Sequence, residues 1–245
     1  MAEPNVEVIA KHYAGILQEL GVDPQAEGTR ETPLRAAKAL VEMTEGSRTE
    51  TDQLTKMFKA ECQTAVCHDM VIVEGIKEVG LCEHHLLPIL MDITIGYIPD
   101  KKILGLSKLS RIAGYFARRL QNQERTAHLI AVFIEQIVEP LGVAVLINGK
   151  HMCAMARGVR DTHSVMKVNV MHGAFQKDQT LRSEFLHGFR QNNSPSQFPN
   201  CASFGWEGTP KGRQPPKTPP GRPLSSFRLH SDARPCSRTS GSLKS

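Results

Sequence analysis

The chain has 245 residues, 30 basic against 25 acidic side chains for a formal net charge of +5, and an apolar share of 40%. That length accommodates one domain or two, and that apolar share is enough for a real core, which excludes wholesale disorder. No apolar run reaches the ~18–20 residues of a membrane span, no basic-then-apolar leader is visible, and six scattered cysteines make no disulfide framework, so a reduced, cytoplasmic compartment is expected.

Val6, Ile9, Tyr13, Ile16 and Leu20 recur at helical spacing, and Gly21 offers a stop. Thr32-Pro33 reads as an N-cap with proline at the first helical position, opening a second helix that turns Leu34, Ala37, Leu40 and Val41 inward and closes at Gly46. Met70–Val73 and Ile93–Ile98 are β-rich and read as strands. From Ser107, itself an N-cap candidate, to about Val138 the pattern is helical. Arg111, Ile112, Tyr115 and Phe116 fall in one helix, Leu129, Val132, Phe133 and Ile137 in the next, with a break near Gln121–Gln123. Val143–Ile147 and His151–Arg157 read as a hairpin around an Asn148-Gly149 turn. The expected class is α+β with an antiparallel sheet.

The last 55 residues, 191–245, differ in kind. They hold 8 basic and 2 acidic residues, 9 of the 15 prolines and 10 serines, with only 11 apolar residues. Such a segment cannot bury enough surface to offset its chain entropy, so a disordered tail is expected. Residues 1–190 carry a net charge of −1, so the basic balance belongs to the tail. A solvated extension is the favoured reading of it, contact with nucleic acid or an acidic membrane the other. No internal repeat is visible.

Cys82-Glu83-His84-His85 sets Cys82 and His85 three residues apart, a spacing at which one turn presents both to a single ion. In the expected strand from His151 to Arg157, the period of two puts His151, Cys153, Met155 and Arg157 on one face. Two thiolates and an imidazole select zinc, and three protein ligands leave a fourth position open for water, the pattern of a catalytic site. Cys62, Cys67, Cys201 and Cys236 read as ordinary thiols. Cys62, Cys67 and His68 would be a second set, but nothing downstream completes it.

These motifs, together with Gly105-Leu106-Ser107-Lys108, the stretch from Arg118 to Arg125 and Arg157-Gly158-Val159, resemble in order and spacing the GTP cyclohydrolase I family, from about residue 5 to residue 190. The resemblance implies hydrolytic opening of the GTP imidazole ring, with C8 leaving as formate and the product closing to 7,8-dihydroneopterin triphosphate. This is the first step toward pterins, tetrahydrofolate or tetrahydrobiopterin. It implies Zn2+ on Cys82, His85 and Cys153, and a zinc-activated water attacking C8. His84 and His151 become the proton donors and acceptors, with His84 otherwise a supporting or structural residue.

By the same resemblance Gln123 and Glu124 read guanine, a carboxylate accepting from both N1–H and the 2-amino group. Lys108, Arg111 and Arg157 hold the triphosphate, with Arg35 a weaker candidate, and Ser107 lies near the ribose. The implied architecture is a tunnelling-fold (T-fold) domain, with N-terminal helices and a helical pair packed on the antiparallel sheet. Residues 1–60 would form the N-terminal helical region, 61–190 the catalytic domain and 191–245 the tail. A homodecamer with sites between subunits is implied, with a feedback regulatory protein as a further partner. Neither membrane nor nucleic acid is expected of the folded part.

The sequence departs from the family pattern at Gly80, where serine or threonine is usual, at Leu90-Met91-Asp92, at Asn122 and Arg125-Thr126-Ala127, and along Val168–His172. Those departures motivate a second hypothesis, a weakly active or non-catalytic GTP-binding paralogue serving as a regulatory or structural subunit. A zinc nucleobase deaminase fits less well, since its His-x-Glu and paired Cys-x-x-Cys are missing.

Overall fold

The computed structural model describes residues 3–49, 54 and 69–192. Cys62, Cys67, His68, Cys201, Cys236 and the expected tail beyond Asn192 lie outside them. Helix α1 (Val6–Glu19) opens on Asn5, whose side chain accepts from the Val8 amide at 3.0 Å, and ends at Gly21 with φ +75°. It packs chiefly against α2 (Thr32–Met43), and none of its residues is buried. Helix α2 begins one residue earlier than its sequence signals. Glu31 holds the cap position without a side-chain bond, and Thr32 is already helical because its amide continues the preceding turn onto Thr29 O. Ala37 is buried as expected, whereas Leu34 is exposed. A 3-10 turn, Glu45–Ser47, carries Gly46, whose amide donates to Arg118 O.

Among the described residues the sheet has five strands, in the order Leu120–Gln121 (β3), Val71–Cys82 (β1), Pro88–Ile98 (β2), Gly142–His151 (β4) and Met166–Gly173 (β5). Strands β1 (Val71–Cys82) and β2 (Pro88–Ile98) pair antiparallel and run well past the two short stretches expected. A register shift between Val73 and Ile76, with Gly75 at φ +73°, interrupts the period-two pattern that would have marked the full length of β1. Helix α3 (Leu106–Ala117) starts from Gly105, so Ser107 sits inside the first turn and not at the cap. Two residues, β3 (Leu120–Gln121), pair parallel with Leu81 and Cys82. Helix α4 (Gln123–Val138) follows, capped by Asn122, which accepts from Arg125 N at 2.8 Å.

The expected hairpin at Asn148-Gly149 does not form. Strand β4 (Gly142–His151) passes straight through it, paired along its length with β2, and on its other edge with β5 (Met166–Gly173). Two flanking ladders outweigh a local turn preference. The expected strand from His151 is instead the short helix α5 (Met152–Met155), so His151, Cys153, Met155 and Arg157 do not share a strand face. Helices α6 (Ala174–Lys177) and α7 (Gln179–Asn192) follow β5.

Helices α3 and α4 cover one face of the sheet. Ile89, Met91, Ile93, Ile95, Val143, Val145 and Ile147 meet Leu109, Ile112, Ile130 and Ile134 in the main core. The other face carries a smaller cluster in which Phe175 and Phe185 cover Ile98, Ala144 and Leu146. The α+β class, the antiparallel sheet and the helical pair packed on it are as expected.

Helix α3 comes close to β1 at Gly80. A Cβ there would stand 2.5 Å from Ala117 O and 2.9 Å from the Met91 methyl. Glycine at this position is therefore a packing requirement of this chain, whatever its relatives carry. At the same end of α3, Arg118 bridges Glu45 and Glu78, and burial pushes the Glu78 carboxyl above its ordinary range against the pull of Arg118. Replacing Gly80 by serine forces backbone to move and is expected to destabilise the fold by about 1–3 kcal/mol, the usual cost of overpacking, read in chemical denaturation. An unchanged midpoint would show that α3 has slack here.

Candidate metal centre

The strand register gathers the site. Leu81 pairs with Pro88 across the first ladder, and Ile89 pairs with His151 across the second. The end of β1, the start of β2 and the end of β4 therefore lie side by side at one end of the sheet. Cys82 closes β1. The chain then turns tightly through Glu83–Leu86, with His85 N and Leu86 N both donating to Cys82 O and Leu86 at φ +56°. At the end of β4 the switch to helix at Met152 swings Cys153 toward this turn.

Cys82, His85 and Cys153 form a group whose ligand atoms all lie within 4.8 Å of one another. Cys82 Sγ is 3.7 Å from His85 Nδ1 and 3.9 Å from Cys153 Sγ, and both cysteines are free thiols. Tetrahedral ligands with metal–sulfur near 2.3 Å and metal–nitrogen near 2.0 Å stand about 3.5–3.8 Å apart, so these residues fit a single cation. Cys82 is buried, Cys153 half-buried and His85 exposed, so a cation here meets the chain on one side and solvent on the other. Burial pushes the Cys153 thiol above its ordinary range, Cys82 adding to the effect and Arg157 opposing it. A divalent cation between the sulfurs removes that penalty, because it binds the thiolate form.

His84 Nδ1 stands as near Cys82 Sγ, at 3.7 Å, but His84 does not join the group with Cys153, and most of its side chain is exposed. His151 is half-buried, and burial holds its imidazole below the ordinary range while the charge of Glu124 pulls the other way. Its Nε2 lies 3.0 Å from Gln123 Oε1. Gln123 itself has no exposed surface, and its Nε2 donates to Ile147 O at 2.9 Å and Met166 O at 3.0 Å. Glu124, the next residue in the first turn of α4, is exposed.

The remaining predicted residues fall elsewhere. Ser107, Lys108 and Arg111 lie in the first half of α3, whose other end, Ala117, is the part that meets Gly80. Lys108 is nine residues from Ala117, roughly 13 Å along the axis. Ser107 and Arg111 are exposed and Lys108 is buried. Arg111 lines a cavity of about 270 Å³ with Glu45, Gly46, Thr49, Leu54, Gly114 and Tyr115, and no residue of the metal group reaches it. Arg157 is exposed in the loop after α5, and Arg35 is exposed on α2, paired with Glu31. One chain thus collects the cysteines, His84, His85, His151, Gln123 and Glu124, but not the α3 cations.

One local clamp went unread in the sequence. Glu83 accepts from Arg125 Nη1 at 2.7 Å and Asn122 Nδ2 at 3.3 Å, tying the ligand turn to the N-terminus of α4. Asn122 immediately before a helical run was a legible capping signal. Its second bond, to a residue 39 positions away, had none.

The profile described as GTP cyclohydrolase I matches residues 9–190 of the chain. The GTP cyclohydrolase 1 of Alkalilimnicola ehrlichii is 43% identical over 186 residues, covering 75% of this chain and 98% of that protein. That of Coxiella burnetii is 45% identical over 183 residues, covering 75% of this chain and 98% of that protein. Among solved structures, an archaeosine synthase QueF-like chain in the apo form aligns at a TM-score of 0.36 and 14% identity, over 42% of this chain and 93% of that one.

If the three ligands act together, Cys82→Ser and Cys153→Ser each lose the bound ion while keeping the helical and strand content of the parent chain. Elemental analysis after gel filtration checks this. Full metal retention in both variants would dissolve the site.

Proposed function

We propose that this chain, which belongs to the GTP cyclohydrolase I family, hydrolyses the imidazole ring of GTP, releasing formate and giving 7,8-dihydroneopterin triphosphate at the head of pterin synthesis. The carrying observation is the convergence of Cys82, His85 and Cys153 beside His84, His151 and Glu124. The fold is the family's tunnelling unit, with residues 61–190 as the catalytic domain, 1–60 as its helical N-terminal region and 191–245 as an appended tail. No helix among the described residues is long and apolar enough to cross a membrane. The thiolate ligands fit a reducing cytoplasm.

Zinc is the ion the donor set selects, and when bound it supplies Lewis acidity and lowers the pKa of water. The chain's own groups do the rest. Glu124, exposed at the N-terminus of α4, accepts from N1–H and the 2-amino group of guanine and rejects adenine, which lacks that pair. His151 and His84 exchange protons with the opening ring and its water. Ser107, Lys108, Arg111 and Arg157 take the ribose and the triphosphate, with Arg35 as a weaker partner.

The α3 cations stand at the far end of their helix from their own metal group, so the triphosphate is held by residues of a second copy. This supports a homo-oligomer, the decamer implied by resemblance, with each site shared between copies. A feedback regulatory protein would act on that assembly.

Zinc-loaded protein incubated with GTP is expected to release formate and, after oxidation, to give the fluorescence of neopterin. Absence of both from metal-replete material overturns the activity. Glu124→Gln removes a charged acceptor and is expected to raise KM for GTP about ten- to a hundred-fold, the range of a lost hydrogen bond to a charged group. Cys82→Ser and Arg111→Ala, each inactive alone, are expected to recover turnover when co-assembled. Continued inactivity of the mixture would place both halves of the site in one copy.

A further inference from the structure

We propose that Gln123 is a positioning residue whose amide fixes His151 in the tautomer with hydrogen on Nε2, leaving Nδ1 as the nitrogen that exchanges the proton. The inference deepens the reading above and rests on it for the role of His151 in the reaction. Its structural half stands alone.

The argument is one of hydrogen-bond direction. Gln123 is fully buried, and the nitrogen end of its amide faces two main-chain carbonyls, Ile147 O at 2.9 Å and Met166 O at 3.0 Å. A carbonyl only accepts, so both amide hydrogens are spent on them. The amide oxygen therefore faces His151 Nε2, at 3.0 Å. An amide oxygen also only accepts, so the imidazole nitrogen must carry the hydrogen. Reversing the amide would set oxygen against two carbonyl oxygens at a fully buried side chain, losing two bonds. A neutral imidazole has one N–H, and with it on Nε2 the lone pair is on Nδ1.

A second observation shows that the slot is built for this side chain. Gly149 lies in β4 beside it, and a Cβ at Gly149 would collide with Gln123 Oε1. Gly149 also pairs with Met166 of β5, the residue whose carbonyl accepts from Gln123. The Asn148-Gly149 pair, which reads locally as a turn, supplies the bare Cα that lets α4 lay an amide against the ladder. Guanine contact then belongs to Glu124, the exposed neighbour, and Gln123 acts through His151.

Solid-state 15N spectra of the sedimented full-length protein, labelled at histidine and compared with His151→Asn, read the tautomer without any change at Gln123. The expected His151 signals are a protonated Nε2 and a bare Nδ1, and a bare Nε2 overturns the proposal. Gln123→Met is expected to lower kcat about ten- to a hundred-fold with KM for GTP within about two-fold, the scale of lost support around a working histidine, and with metal content intact. A raised KM with kcat retained would make Gln123 a direct contact to the base and overturn positioning. Gly149→Ala displaces the amide without altering it. The same kinetic pattern and a mixed tautomer are expected there, and unchanged kcat counts against the proposal. If the unsubstituted chain does not turn over GTP, the activity reading fails while the tautomer spectrum still decides this one.

Discussion

Two ladders sharing one central strand decide where the chemistry sits. Strand β2 holds β1 on one side and β4 on the other, with Leu81 opposite Pro88 and Ile89 opposite His151. Because side chains alternate across a sheet, a one-residue slip in either ladder would turn the metal ligands away and bring core residues to the surface. The buried rows Ile89, Met91, Ile93 and Ile95, and Val143, Val145 and Ile147, resist that slip. The same apolar contacts that hold the fold together therefore set the register on which the ligand turn depends.

Gln123 joins the core to the reacting groups more directly. Its amide completes the backbone hydrogen bonding of β4 and β5 next to His151, and the helix it begins carries Glu124 at the surface. Glu83, held by Arg125 and Asn122, ties the ligand turn to the same helix end. The N-terminus of α4 is thus the common anchor of the ligand turn, the half-buried histidine and the exposed carboxylate.

Much of this was legible in the residues. The Cys82-x-x-His85 spacing, Cys153 as its distant partner, and a helix break just before Gln123 all survive in the structure. The local geometry of the second ligand half was not legible. Asn148-Gly149 carries a turn preference that two neighbouring strands override, and Cys153 reaches the site from a helical turn that periodicity read as strand. The partners of Gln123 lie 24, 28 and 43 positions away, two of them main-chain oxygens that any residue could supply, so no motif announces them. Gly80 is similar: its reason is the carbonyl of Ala117, visible only once α3 is laid on β1.

The way the N-terminal helices are moored has its own consequence. Helix α1 buries nothing in the core, and α2 leads into a turn held by Gly46 N on Arg118 O and by the ion pairs of Arg118 with Glu45 and Glu78. That mooring is polar and partly wet, whereas the sheet below is joined by close-packed apolar rows. Dissolved electrolyte weakens attraction between wet charges and leaves apolar contact intact. The orientation of the first forty-odd residues therefore answers to ionic strength, and so does the Glu83–Arg125 clamp on the ligand turn, while the ladder register beneath it does not.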